Sequence, residues 1–398
     1  MRLTKRALLL ITTVVLIIVI STRLKAETGT CGGASVTLPF MDVASSNIFF
    51  CSIAAAYFSG LTNGTSPTSY SPSANVTREQ MAAFVSRTLN QSITRSRRRA
   101  ALGQWWKAQG GVVAGGGGDC PSGVNDVVCD GTDLWVASPI RVSRFRPSDC
   151  SLIAFYTMSA NTLVSAGTLM YVGWADTLKY FFQNSFYTVA SGFSGNLTCL
   201  AFDGRYVWTG SDAGVIGKVQ MGELGPGSVT TVQSGFGSLS GMLFDGNYLW
   251  VVDNTEQLMF RLDANGNGTG TVVVGEGAGK PVFDGINIWV PNRDDSTITV
   301  VRAKDASGDP VTPFVLATLT GNGLNGPTAA AFDGERIAVT NFFDVTISFW
   351  NAADLTQLGN SPFSFNAAPY YPFRICSDGL SFWVGAIDNS SDGLLQRF

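Results

Sequence analysis

Residues 242–253 read MLFDGNYLWVVD: an apolar run closed by Asp-Gly, two further residues, then a strand built around Leu-Trp-Val-Val. Asp-Gly supplies the positive φ that a tight turn between right-twisted strands demands, so the segment predicts a β-hairpin. The same arrangement returns as VVCDGTDLWVAS (127–138), LAFDGRYVWTGS (200–211), PVFDGINIWVPN (281–292), AAFDGERIAVTN (330–341) and RICSDGLSFWVGA (374–386), and in degenerate form as LVSAGTLMYVGW (163–174). Marked by their glycines, from Gly131 to Gly379, the seven copies are spaced by 36, 37, 42, 39, 49 and 45 residues. A period near 40 is that of a four-stranded propeller blade. Two further strand-like runs follow the hairpin, as in QLMFRLD (257–263) and TVVVGEG (271–277), and complete the four strands. The fold class expected is mainly β, a seven-bladed β-propeller over residues 119–398.

The chain ends 19 residues after Gly379 of the last copy, with LLQRF as a third strand and no segment left for a fourth. The missing outer strand is expected from GVVAGG (111–116), which would close the ring by strand exchange and leave no open edge. The recurrent Asp130, Asp203, Asp245, Asp284, Asp333 and Asp378 read as caps of their own turns rather than a ring of catalytic carboxylates. The recurrent Trp135, Trp208, Trp250, Trp289 and Trp383 read as core between blades, because alternate side chains of a strand face the neighbouring sheet.

The N-terminus speaks to the compartment. Arg2, Lys5 and Arg6 precede an uncharged run from Ala7 to Ile20, apolar but for Thr12 and Thr13, and a small residue stands at Ala26, which together read as a secretory signal over residues 1–26. A run of fourteen residues falls short of the roughly 20 that span a bilayer core, so a membrane contact is expected only if the segment stays uncleaved. Cleavage would remove five basic residues and no acid, leaving 21 against 29 and a net charge near −8. That balance argues against nucleic acid as a partner, since phosphate binding needs a net basic face. All seven cysteines lie in the exported part. An oxidising compartment favours disulfides there, with Cys31–Cys51 and one pair among Cys120, Cys129 and Cys150 as the local candidates. The sequence contains no His, which removes the commonest zinc ligand and the usual neutral-pH general base. No metal site and no cofactor are expected.

Residues 35–92 form a second unit. NIFFCSIAAAYFSGL (47–61) is a helical-length apolar stretch, and TREQMAAFVSRTL (77–89) places Met81, Phe84, Val85 and Leu89 on one helical face. Thr77 is an N-cap candidate with Gln80 as its capping-box partner. The order Phe40, Asp42, Val43, then Gly60 and Gly64, then Tyr70 and Pro72, then Val76, Thr77, Arg78 and Glu79 resembles the S-layer homology family over about 55 residues. In that family the Arg of the Thr-Arg step contacts anionic cell-wall glycan. The resemblance therefore implies a glycan-binding set of Arg78, Thr77, Glu79, Asp42, Gly60 and Gly64, with wall polysaccharide or peptidoglycan as partner. One such module is present, where wall-binding members commonly carry three.

Residues 93–118 read as a linker, basic at Arg95, Arg97, Arg98 and Arg99 and then Gly-rich and flexible by composition. Beyond it, the propeller resembles the YVTN-type bacterial extracellular propellers, a class that hosts many unrelated functions on one architecture. DANGNGTG (263–270) has the alternating oxygens of a calcium loop but Val274 where the closing acid belongs. Asp294 and Asp295 are adjacent, so on a strand they point to opposite faces and make a poor acid/base pair. The function expected is that of a non-catalytic cell-envelope protein whose small module binds wall glycan and whose propeller binds an unidentified protein or carbohydrate. A structural envelope component is the alternative. A propeller enzyme, lyase or quinoprotein-like, stands third, since lyases resembling this fold depend on His.

Overall fold

The computed structural model describes residues 27–31, 34–58, 62, 64–85, 112–113, 122–166, 169–220, 229–305, 307–363, 370–388 and 393–398. The expected signal segment, Gly60, Leu89, Cys120 and the linker other than Val112 and Val113 lie outside them. The chain divides into two compact units, Met1–Gln104 and Trp105–Phe398.

The first unit opens with a hairpin of Glu27–Cys31 and Ala34–Leu38 in antiparallel register. Its Thr and Val residues favour extended backbone, but the strands are too short for the periodicity of the sequence to announce them. Helix α1, Phe50–Phe58, packs Phe50, Ile53 and Ala54 onto Leu38, Phe40 and Val43. The expected Cys31–Cys51 disulfide ties the hairpin to α1. A second helical segment, α2, runs from 78 through 85. It begins as its capping box dictates: Thr77 N donates to Gln80 Oε1 at 2.9 Å and Gln80 N donates to Thr77 Oγ1 at 3.2 Å.

The second unit is a seven-bladed propeller of antiparallel four-stranded sheets. Blades 1 to 7 begin with inner strands Asp126–Cys129, Thr162–Ala166, Leu197–Phe202, Leu239–Phe244, Val282–Phe283, Pro327–Phe332 and Tyr371–Ser377. Blade 2 is the degenerate copy, its hairpin joining Thr162–Ala166 to Leu169–Trp174. Blade 7 takes its outer strand from Val112–Val113, which pair antiparallel with Gln396 and Leu395.

The turn of blade 4 shows why the motif recurs. Asp245 Oδ1 accepts the amides of Asn247 and Tyr248 at 2.7 and 2.8 Å, while Gly246 at φ 95° turns the chain back. Between each pair of adjacent blades lies a separate apolar cluster, seven in all among the described residues. The alternation of the inner strand distributes side chains between them. The residue just before the turn Asp faces the preceding blade and the residue two before it faces the following one. Phe283 and Leu243 thus meet between blades 4 and 5, and Phe332 and Val282 between blades 5 and 6.

Candidate functional site

With the repeats superposed on their turn Asp, two inner-strand positions line the central channel. Five residues before the Asp stand Asn125, Asn161, Thr198, Ser240 and Thr328, and each donates its side chain to a backbone carbonyl of the next blade. The bonds are Asn125 Nδ2 to Ala160 O at 2.8 Å, Asn161 Nδ2 to Leu197 O at 3.3 Å, Thr198 Oγ1 to Leu239 O, Ser240 Oγ to Ala278 O at 2.7 Å and Thr328 Oγ1 to Phe373 O at 2.9 Å. Gly279 has no side chain to offer in blade 5, and the backbone N–H of Lys280 reaches Thr328 O instead, at 3.3 Å. Arg374 Nε donates to Asn125 O at 3.0 Å and completes the circle from blade 7 to blade 1. A small polar donor that bonds forward is satisfied at both ends, as a partly buried polar group must be.

One position further on are Asp126, Thr162, Cys199, Gly241, Lys280, Ala329 and Arg374. Three charges therefore meet at a position where the other blades present Thr162, Cys199, Gly241 and Ala329. Lys280 Nζ spans from blade 5 to Asp126 Oδ1 of blade 1 at 2.6 Å, while Asp126 Oδ2 accepts the amide of Leu163 at 2.9 Å and the Thr162 hydroxyl at 3.4 Å. Burial holds the Arg374 guanidinium below its usual range, and the Asp126 charge opposes that shift. The channel carboxylate is thus spent on structural donors, and the ion pair crosses the passage. The sequence reading passes over this cluster. Its signal is the replacement of small residues by Asp, Lys and Arg at one repeat position.

In the small unit, Asp42 clamps the loop that precedes α2. Its Oδ1 accepts Tyr70 N at 2.8 Å, and its Oδ2 accepts Ser69 Oγ and Ser71 N, both at 2.7 Å. Burial pushes the Asp42 carboxyl up, but these hydrogen bonds outweigh it and hold the group below the usual carboxylate range. Gly64, at φ 77°, leaves no room for a Cβ, which would stand 2.5 Å from both the Phe40 ring and the Ser69 carbonyl oxygen. Phe40 is fully buried, edge-on to Tyr57 and tilted against Tyr70. Arg78 and Glu79 occupy the first turn of α2, exposed, and among the described residues neither side chain has a hydrogen-bond or ion-pair partner. Residues 39–82 match the family model of the S-layer homology domain. No curated protein matches the chain.

An S-layer homology module indicates a cell-surface or envelope protein. Among the described residues, no helix is long and apolar enough to cross a membrane. Within the module, Asp42, Gly64 and Thr77 hold the scaffold, whereas Arg78 and Glu79 reach solvent. Of the apolar face expected on α2, Phe84 is half-buried, but Met81 and Val85 remain 53 % and 60 % exposed. Ile48 and Phe49 are likewise exposed, at 87 % and 60 %.

The two other motifs weighed in the sequence fold as turns. Asp263 spends its carboxylate on the amides of Asn265 and Asn267 and on Asn267 Nδ2, closing a loop by itself. Asp295 Oδ2 accepts Glu276 N at 2.8 Å. Cys129 and Cys150, expected with Cys120 to supply one local bridge, carry free thiols.

Proposed function

We propose that the protein is a non-catalytic envelope protein in which the S-layer homology module binds anionic cell-wall glycan and the propeller serves as an interaction head. The observation that carries this reading is the position of Arg78. It stands exposed in the first turn of α2, with no partner among the described residues, while Asp42, Gly64 and Thr77 of the same module are occupied in scaffolding. A guanidinium free of internal partners keeps its planar fork for a carboxylate or phosphate of the polymer. Glu79 beside it favours recognition of selected polymers over general attraction to anions, because a neighbouring acid weakens non-specific binding.

The propeller's channel supports a binding rather than a catalytic role. Its carboxylate is held by Lys280 and by Leu163 N, and a general acid or base needs a proton site open to substrate. A ligand would therefore meet the loops of a propeller face. The exposed apolar side chains of Ile48, Phe49, Met81 and Val85 favour a second reading, in which copies of the module associate and the protein is a structural envelope component.

Co-sedimentation with purified peptidoglycan and its attached polysaccharide tests the first reading. The exported chain is expected to pellet and the Arg78→Ala variant to remain in the supernatant. Equal pelleting of both would remove Arg78 from the glycan site, and failure of the unaltered chain to pellet would overturn wall binding itself.

A further inference from the structure

Three of the propeller's free thiols, Cys129, Cys150 and Cys376, pack at the seam where the ring closes, and Cys129 and Cys376 stand there on the inner strands of its two blades. Cys129 stands immediately before the turn Asp130 of blade 1, and Cys376 stands two residues before Asp378 of blade 7. By the alternation that pairs Phe283 with Leu243 and Phe332 with Val282, Cys129 faces back toward blade 7 and Cys376 faces forward toward blade 1. Both pack on one cluster, formed by Val124 and Val127 of blade 1 with Trp383 and Leu395 of blade 7. Burial pushes the Cys376 thiol up, and the neighbouring Cys129 adds to that shift, an independent sign that the two sulfurs are close.

The seam is where a covalent link has most to add. The ring closes there by strand exchange, because the outer strand of blade 7 comes from Val112–Val113, which precede blade 1 in the chain and pair with Gln396 and Leu395. The sheets themselves approach tightly there, since a Cβ on Gly385 would stand 2.5 Å from Val124 and 2.7 Å from Val127. The Cys31–Cys51 disulfide of the first unit already fits an oxidising compartment.

We propose that Cys129 and Cys376 form a disulfide that locks the first blade to the last. The inference rests on the envelope reading for the oxidising setting. In the reaction, one thiolate attacks a low-molecular-weight or protein disulfide, giving a mixed disulfide and releasing one thiol. The second cysteine then displaces the second thiol. The two cysteines give up two electrons and two protons, and the oxidant disulfide becomes two thiols. Both thiols are held protonated by burial in the closed ring, so exchange takes place before the seam packs. The link would enclose a very long loop, the case in which cross-linking most restricts the unfolded chain.

The full chain, refolded from denaturant with oxidised and reduced glutathione, tests this without reliance on export. Non-reducing peptide mass spectrometry is expected to find the Cys129 and Cys376 peptides joined. The propeller's own thermal transition should lie about 5–10 °C higher in the oxidised protein than in the reduced one, a difference that Cys129→Ser and Cys376→Ser each abolish while the Cys31–Cys51 bridge of the first unit is unchanged. The proposal is overturned if both cysteines alkylate with iodoacetamide once the oxidised protein is unfolded, or if Cys129 is joined to another cysteine. Either result leaves the wall-binding reading intact, because that reading is measured by pelleting.

Discussion

The indole N–H of Trp208 donates to Asp203 Oδ2 at 2.7 Å, so the residue that caps the hairpin turn also holds the largest side chain of the following strand. The contact repeats as Trp135–Asp130, Trp250–Asp245, Trp289–Asp284 and Trp383–Asp378, at 2.7 to 2.9 Å. A buried indole needs an acceptor for its one polar atom, and the Asp serves it with one oxygen while the other takes two turn amides. Blade 6 shows the dependence by exception. Ala338 stands where the Trp would be, and Asp333 Oδ2 accepts Arg336 Nε at 3.0 Å instead.

The motif is therefore a three-part unit, and Asp245 is the place to test it. Asn keeps one acceptor oxygen but turns an NH2 group either toward the indole N–H or toward the turn amides. Asp245→Asn is expected to cost about 1–3 kcal/mol, the penalty of a buried donor left unsatisfied, and Asp245→Ala more. Denaturant midpoints at unchanged m-value would measure it. A loss below about 0.5 kcal/mol in both variants would show that the indole bond carries no net stability.

The ion pair across the channel offers a second test. Lys280→Met leaves Asp126 buried with hydrogen bonds but no ion-pair partner, with only the more distant charge of Arg374 to offset it, whereas Lys280→Met with Asp126→Asn removes both charges of the pair together. Lys280 keeps about a third of its exposure, so solvent screens the pair. The single change is expected to destabilise by about 1–3 kcal/mol, less than for a fully buried pair. The double change should recover part of that loss. Additive effects in the double-mutant cycle would mean that the two charges do not interact.

Much of this arrangement is legible in the sequence because each repeat carries its own turn chemistry. Asp-Gly marks every hairpin but that of blade 2, and LVSAGTLMYVGW is still recognisable by length and position. Thr77 and Gln80 announce the start of α2 for the same local reason. The channel is harder to read, since Asp126, Lys280 and Arg374 are 154 and 94 residues apart in sequence and become neighbours only when the ring closes. The Asp42 clamp is hidden in a similar way. An Asp near a helix reads as a cap, but its acceptors are spent on Ser69, Tyr70 and Ser71, almost 30 residues further on.

Cys199 should be chemically silent in the folded protein. Burial pushes its thiol up to about 12, against a weaker opposing hydrogen bond from Thr198 Oγ1. At pH 8 only about one molecule in 10,000 carries the thiolate that reacts with alkylating agents. Native-state labelling with iodoacetamide, followed by unfolding and a second isotopic label, is expected to place Cys199 wholly in the second fraction. Rapid labelling in the native state would show that blades 3 and 4 open far more often than their packing implies.

The Asp42 clamp makes the module sensitive to acid in a stated direction. The folded carboxyl titrates below the unfolded value of about 3.9. Its contribution to stability is therefore complete above that value and lost as pH falls through the folded pKa. The direct reporters are the amides of Tyr70 and Ser71, which donate to its two oxygens. Hydrogen-exchange protection of these amides, corrected for the intrinsic rate, is expected to hold from pH 7 to about 4.5 and to fall below about pH 4. In Asp42→Asn the amide group cannot accept from Ser71 where the carboxylate did, so protection should already be reduced at pH 7 and change little on acidification. Protection in the unaltered chain that persists to pH 2 would show that Phe40, Tyr57 and Tyr70 hold the loop without the clamp.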